Sequence, residues 1–131
     1  MYQNWYDMIK CKKIIMTDVP PKKVLAVVFW KETNGKEPVR QWLKSLTKQQ
    51  KKIIGEDIKT IEMGWPLGMP LVKSLGHGIW EIRSNFKDGI ARIVFKMHEN
   101  QMILLHGFIK KSQKTPSQDL EIAIKRAKTL R

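Results

Sequence analysis

The segment IWEIRSNFKDGIARIVFKM, residues 79–97, places Glu81, Arg83, Arg92 and Lys96 on one alternation parity of two strands joined by the turn sequence FKDG. If that turn closes a hairpin, Asn85 faces Ile90 and Arg83 faces Arg92. Like charges directly opposite one another destabilise a sheet, so a bound anion gives such a pair its reason. The next strand, MILLHGFI (102–109), runs into KKSQKTP and delivers Lys110, Lys111 and Lys114 to one turn. With Met97 facing Met102, Gly107 falls opposite Arg92 and leaves room for a backbone or ligand to approach. The expected site is an arginine-lined anion pocket on the open face of the sheet, rimmed by lysines. In the opposing, purely structural reading, Arg83 pairs with Glu81 or Glu99 and the lysines only discourage edge pairing.

Other chemistry has less support. His77, His98 and His106 are scattered, and His106 falls on the core-facing parity of its strand, which reads as a satisfied core histidine rather than a ligand or base. The single cysteine, Cys11, excludes an internal disulfide and a cysteine-based metal site. Neither a metal nor another cofactor is expected. The chain has no glycine-rich phosphate loop and no Gly-x-Ser-x-Gly elbow, and no pair of carboxylates accompanies the basic face. Trp30, Trp42, Trp65 and Trp80 have the surface to stack on bases, with core packing the default for Trp42 and Trp80.

The elements that must position these residues are legible from periodicity. VLAVVFW (24–30) reads as a buried strand. Pro38, Val39, Trp42, Leu43 and Leu46 mark a short helix, and Thr47 with Gln50 forms a capping box for a second, striped by Ile54, Ile58 and Ile61. The stretch WPLGMPLVKSLGHG (65–78) reads as a loop, and three antiparallel strands follow it. Ala91, Ile93, Phe95 and Met97 take the core face of the middle strand, and Trp80 and Ile82 point the same way. Thr115, Pro116 and Gln118 repeat the capping pattern before a last helix lined by Leu120, Ala123, Ile124 and Ala127. The expected fold is α+β, a small antiparallel sheet with a helical hairpin packed on one face, in the order β-α-α-β-β-β-α.

At 131 residues and 42% hydrophobic content the chain supports one domain. The reading places that domain at 23–131 and treats 1–22 as an N-terminal extension set off by the paired prolines of TDVPPKK. Residues 1–15 read as the product of an upstream start codon or as a short amphipathic docking segment. No apolar run reaches the roughly 20 residues of a membrane span, and no cleavable leader is recognisable, so a cytoplasmic protein is expected. Twenty-five Lys and Arg against 12 Asp and Glu give a net charge of +13. A field of that sign attracts polyanions, so nucleic acid or an acidic protein is the expected partner.

The stretch from Leu75 to Leu130, with LGHGIWEIRSNFKDGIARIVF, ILLHGFIKKSQKTP and EIAIKRA, resembles the phage-related HigB-like branch of the RelE/ParE toxin superfamily. The preceding VVFW and helical hairpin are similar to the family's layout in a less specific way. The resemblance implies the toxin of a type II toxin-antitoxin system that cleaves mRNA on the ribosome and is neutralised by a helix-turn-helix antitoxin. It implies catalytic positions at Arg83, Arg92, Lys110 and Lys111. Lys73, Lys96 and Lys114 are the further residues expected to bind RNA. Arg92 is the expected transition-state clamp. For the base, Glu81 and a neutral lysine both stay open. Glu81 stands where some relatives carry a basic residue, and the only tyrosines, Tyr2 and Tyr6, supply no C-terminal aromatic. A non-catalytic inhibitor of the gyrase-poisoning kind and a plain RNA-binding module are the alternatives.

Overall fold

Short β-branched and aromatic runs alternate with two helical stripes, and the chain folds accordingly. In a computed structural model, residues 26–64, 71–110 and 115–130 are described. The expected extension, Trp65, Lys111 and Lys114 lie outside them. The elements are β1 (Ala26–Phe29), α1 (Pro38–Lys44), α2 (Lys48–Gly64), β2 (Val72–Gly76), β3 (Ile79–Phe86), β4 (Gly89–His98), β5 (Gln101–Lys110) and α3 (Ser117–Ala127). They form an α+β domain around one five-stranded sheet of order β1-β5-β4-β3-β2. Every pairing is antiparallel except β1 with β5, which is parallel.

The capping box expected at Thr47 forms in both directions. Its hydroxyl accepts from the Gln50 amide at 3.1 Å, and the Thr47 amide donates to the Gln50 side-chain carbonyl at 3.0 Å. Two hydrogen-bonding groups of the α2 N-terminus are thereby satisfied. The second expected box fails. Pro116 caps α3 without a side-chain hydrogen bond, and the Thr115 hydroxyl is spent elsewhere, on Glu81.

One strand escaped the sequence reading. β2 lies inside the stretch read as a loop and pairs with β3 through Val72 and Ile82. Its signal is short and flanked by Gly and Pro, so composition argued for a turn. A two-residue connection, His77–Gly78, joins β2 to β3, and both residues have positive φ, 55° and 74°. That geometry suits the twist of a hairpin, and glycine at the second position carries it without strain.

The sheet is covered on both sides. α1 and α2 pack Val39, Leu43, Ile54, Ile58 and Ile61 against Phe29, Ile82, Ile93, Phe95 and Leu104. On the opposite side α3 packs Ala123 and Ala127 against Ile79, Val94, Ile103, Leu105 and Phe108. The open face of the sequence reading is thus partly roofed by α3.

The β3–β4 register matches expectation, with Arg83 opposite Arg92. The β4–β5 register does not. Met97 faces Met102, but a bulge between Val94 and Phe95 shifts the pairing, and Arg92 faces Phe108 rather than Gly107. An extra residue on one strand moves everything beyond it to the other side of the count. Gly107 instead serves the opposite face, where a Cβ would stand 2.5 Å from the Trp42 ring of α1.

Between α2 and β3, the Ser84 hydroxyl donates to Asp57 Oδ2 at 2.6 Å. Burial pushes the Asp57 carboxyl above its ordinary value; Ser84 opposes this and neighbouring Glu56 adds to it. A raised folded-state value means that the native protein holds this proton more tightly than the unfolded chain. Stability from this group is therefore present at low pH and lost as pH rises through the folded value. Asp57→Asn is expected to raise the melting temperature at pH 7, with the gain shrinking toward acid pH in a calorimetric pH series.

Candidate functional site

Alternation along β3, β4 and β5 fixes which side chains meet beneath the N-terminal end of α3. One row of register partners runs Lys73, Glu81, Val94, His106 across β2 to β5. The next runs Arg83, Arg92, Phe108, and beyond it lie Asn85, Ile90 and Lys110. Same-face neighbours in adjacent rows are within reach of long side chains.

Glu81 is the hub. Its side chain is fully buried, and its Oε1 accepts from Arg83 Nε at 2.9 Å and lies 4.0 Å from Arg92 Nη1. Oε2 accepts from the Thr115 hydroxyl at 2.6 Å. Arg92 Nη1 approaches the same hydroxyl at 3.5 Å. Thus two facing arginines are reconciled by an internal carboxylate on the neighbouring strand position. Arg92 is as buried as Glu81, whereas the Arg83 side chain keeps 12% of its exposure. Burial lowers the Arg92 guanidinium from its ordinary value, with Glu81 opposing the shift and Arg83 reinforcing it.

The expected site residues therefore separate. Glu81, Arg83 and Arg92 come together as a network rather than as an empty pocket. Lys73 and Lys110 are exposed on the same face, Lys73 directly across from Glu81 and Lys110 diagonal to Arg92. Lys96 is half-buried one row away, opposite Ile79 and Ile103. Lys111 and Lys114 lie outside the described residues.

Two participants were missed. The local pattern makes Thr115 a helix cap, and nothing in the sequence announces that it reaches a strand residue 34 positions earlier. Strict alternation places His106 on the core parity shared with Met102 and Leu104. The bulge turns it to the α3 side, where Nε2 lies 2.7 Å from Asp119 Oδ1 and the ring stacks on Phe108 at 5.5 Å. Among the described residues, no group of three or more His, Cys, Asp or Glu could hold a metal. No helix there is long and apolar enough to cross a membrane.

A five-stranded, mostly antiparallel sheet with a helical hairpin on one side and a C-terminal helix over a basic network on the other is the architecture expected of a RelE-like domain. The family model that matches residues 41–128 is that of the phage-derived Gp49-like proteins, and the chain belongs to this toxin-like family. The match spans every residue of the network, from Lys73 to Asp119. No curated protein matches the chain.

Proposed function

We propose that the protein is the toxin of a type II toxin-antitoxin system, a ribosome-dependent mRNA endoribonuclease neutralised by a helix-turn-helix antitoxin. The observation that carries this reading is the facing pair Arg83–Arg92 on one side of the sheet, with exposed Lys73 and Lys110 beside it. A phosphodiester entering that face meets the partly exposed Arg83 first. Arg92, held by Glu81 and Thr115, supports Arg83 and the field behind it. Lys110 and Lys111 engage phosphate with them, and Lys73, Lys96 and Lys114 hold the flanking RNA backbone.

Cleavage without metal requires the 2′-hydroxyl to attack its own phosphate in line with the leaving oxygen. Positioning and stabilisation of charge on the phosphoryl oxygens then supply most of the acceleration. Arginine suits this task because its planar donors grip two oxygens at once. The test is expression of the full chain, alone and with its adjacent reading frame, while growth and mRNA 5′ ends are followed. New ends within translated codons are expected, and the neighbour's product should abolish them. Arg83→Ala should lower cleavage about 100-fold or more, the loss seen when one transition-state donor is removed.

The burial of Arg92 and its neutralisation by Glu81 favour a second reading, a non-catalytic inhibitor that works by binding its target. Growth arrest with DNA damage and no new mRNA ends selects it. Absence of arrest points to an RNA-binding module, in which each lysine removed weakens binding and its salt dependence evenly.

A further inference from the structure

We infer that His106 is the proton acceptor of the cleavage step and that Asp119 is its positioning residue; this rests on the ribonuclease reading above. The β5 bulge is the starting observation. Without it, His106 would share the α1–α2 side of the sheet with Leu104; with it, the imidazole joins the face that carries Arg83 and Arg92. Bulges commonly re-aim a side chain beside a working site. His106 is register partner to Val94, which places it diagonally across from Arg92.

The helix completes the arrangement. Thr115 and Asp119, four residues apart at the start of α3, touch the two halves of one polar line: Thr115 binds Glu81, and Asp119 binds His106. An ionised carboxylate only accepts hydrogen bonds, so Asp119 at 2.7 Å fixes the proton on Nε2. Nδ1 is then the nitrogen with the free lone pair, and no described residue occupies it. The pair is neither sealed nor fully solvated, at 16% and 17% side-chain exposure.

The rival bases are worse placed. Both oxygens of Glu81 are engaged and buried. A charged lysine has no lone pair to offer.

In the step itself, the 2′-hydroxyl gives its proton to His106 Nδ1 as the O2′–P bond forms. The P–O5′ bond breaks, and the departing 5′-oxygen takes a proton from water. One RNA end carries a 2′,3′-cyclic phosphate and the other a 5′-hydroxyl. The imidazolium keeps its Nε2–H on Asp119, whose charge stabilises it.

The test compares full-length wild type with His106→Gln, Asp119→Asn and Asp119→Glu on ribosomes programmed with mRNA. Single-turnover cleavage is followed across pH, together with ribosome binding and thermal melting. His106→Gln is expected to lower the cleavage rate by about 10²–10⁴-fold while binding persists. The charged groups around the imidazole are Asp119, in contact with it, and Arg92, diagonally across the strands; Arg126 of α3 turns to the Leu105 carbonyl at 2.7 Å and to the Trp30 ring. Losing the Asp119 charge leaves the cationic ring less favoured. The acidic limb of the pH–rate profile should therefore move to lower pH in Asp119→Asn and return partway in Asp119→Glu.

Wild-type cleavage by folded His106→Gln overturns the inference and leaves the ribonuclease reading intact. If that variant does not fold, the Asp119 pair decides, and an unmoved limb overturns the inference. Losses that merely follow melting, with no change in the limb, also overturn it. A wild type that cuts nothing removes both readings together.

Discussion

Glu81→Ala is expected to cost about 3–5 kcal/mol in urea unfolding, a large part of the stability of a small domain. The reason is the partner left behind. Arg83 and Arg92 face each other on neighbouring strands, and Arg92 is fully buried. Glu81 sits between them in charge, accepting from Arg83 at 2.9 Å and from the Thr115 hydroxyl at 2.6 Å. Deleting it takes the nearby carboxylate from a buried cation that faces a second cation, and takes the acceptor from the half-buried Thr115 hydroxyl, each of which carries a desolvation cost. Glu81→Gln keeps an acceptor for Thr115 while removing the charge, so it should fall between wild type and alanine. The double variant Glu81→Leu/Arg92→Met supplies the control: replacing the fully buried pair with apolar groups should recover much of the loss, because the remaining cation, Arg83, keeps 12% of its side-chain exposure. A loss under about 1 kcal/mol in Glu81→Ala would mean that water reaches Arg92 and that the network contributes little.

This network also shows why the sequence yields part of the site and conceals the rest. Strand parity and the FKDG turn suffice to place Arg83 opposite Arg92, because a two-residue hairpin leaves the register no freedom. The helical hairpin is equally legible, since Pro38, the Thr47–Gln50 box and the isoleucine stripe agree with one another. β2 is not, because a strand signal of a few residues between glycines and prolines looks like a loop until a partner strand is known. The bulge in β5 leaves no mark in the alternation of MILLHGFI, and it alone decides that His106 belongs with the arginines and Gly107 with Trp42. Thr115 offered two roles, capping a helix or reaching a buried carboxylate, and local sequence favours the first. The stronger demand won: an exposed helix end can be satisfied by water, whereas a buried Glu81 needs its partner inside the protein.

Gly107→Ala provides the complementary test, on the opposite face of the same strand. An alanine Cβ would stand 2.5 Å from both Cε3 and Cζ3 of Trp42. Those atoms belong to a rigid indole on α1, so relief requires the ring or the helix to move rather than a flexible side chain to swing. Overpacking of this kind costs about 1–3 kcal/mol, and Gly107→Val should cost more. Urea unfolding followed by tryptophan fluorescence reads both the loss and the altered ring environment. Pairing the change with Trp42→Leu, which removes the obstructing ring, should make the effect of the added methyl much smaller, giving a coupling of at least 0.5 kcal/mol in a double-mutant cycle. The cycle also discriminates between two reasons for a glycine at this position. If Gly107 were needed for the approach of a ligand, Gly107→Ala would abolish cleavage at unchanged stability and Trp42→Leu would not rescue it. The packing reading requires the reverse: lost stability, rescue by the smaller partner, and cleavage that falls only as far as the folded fraction does.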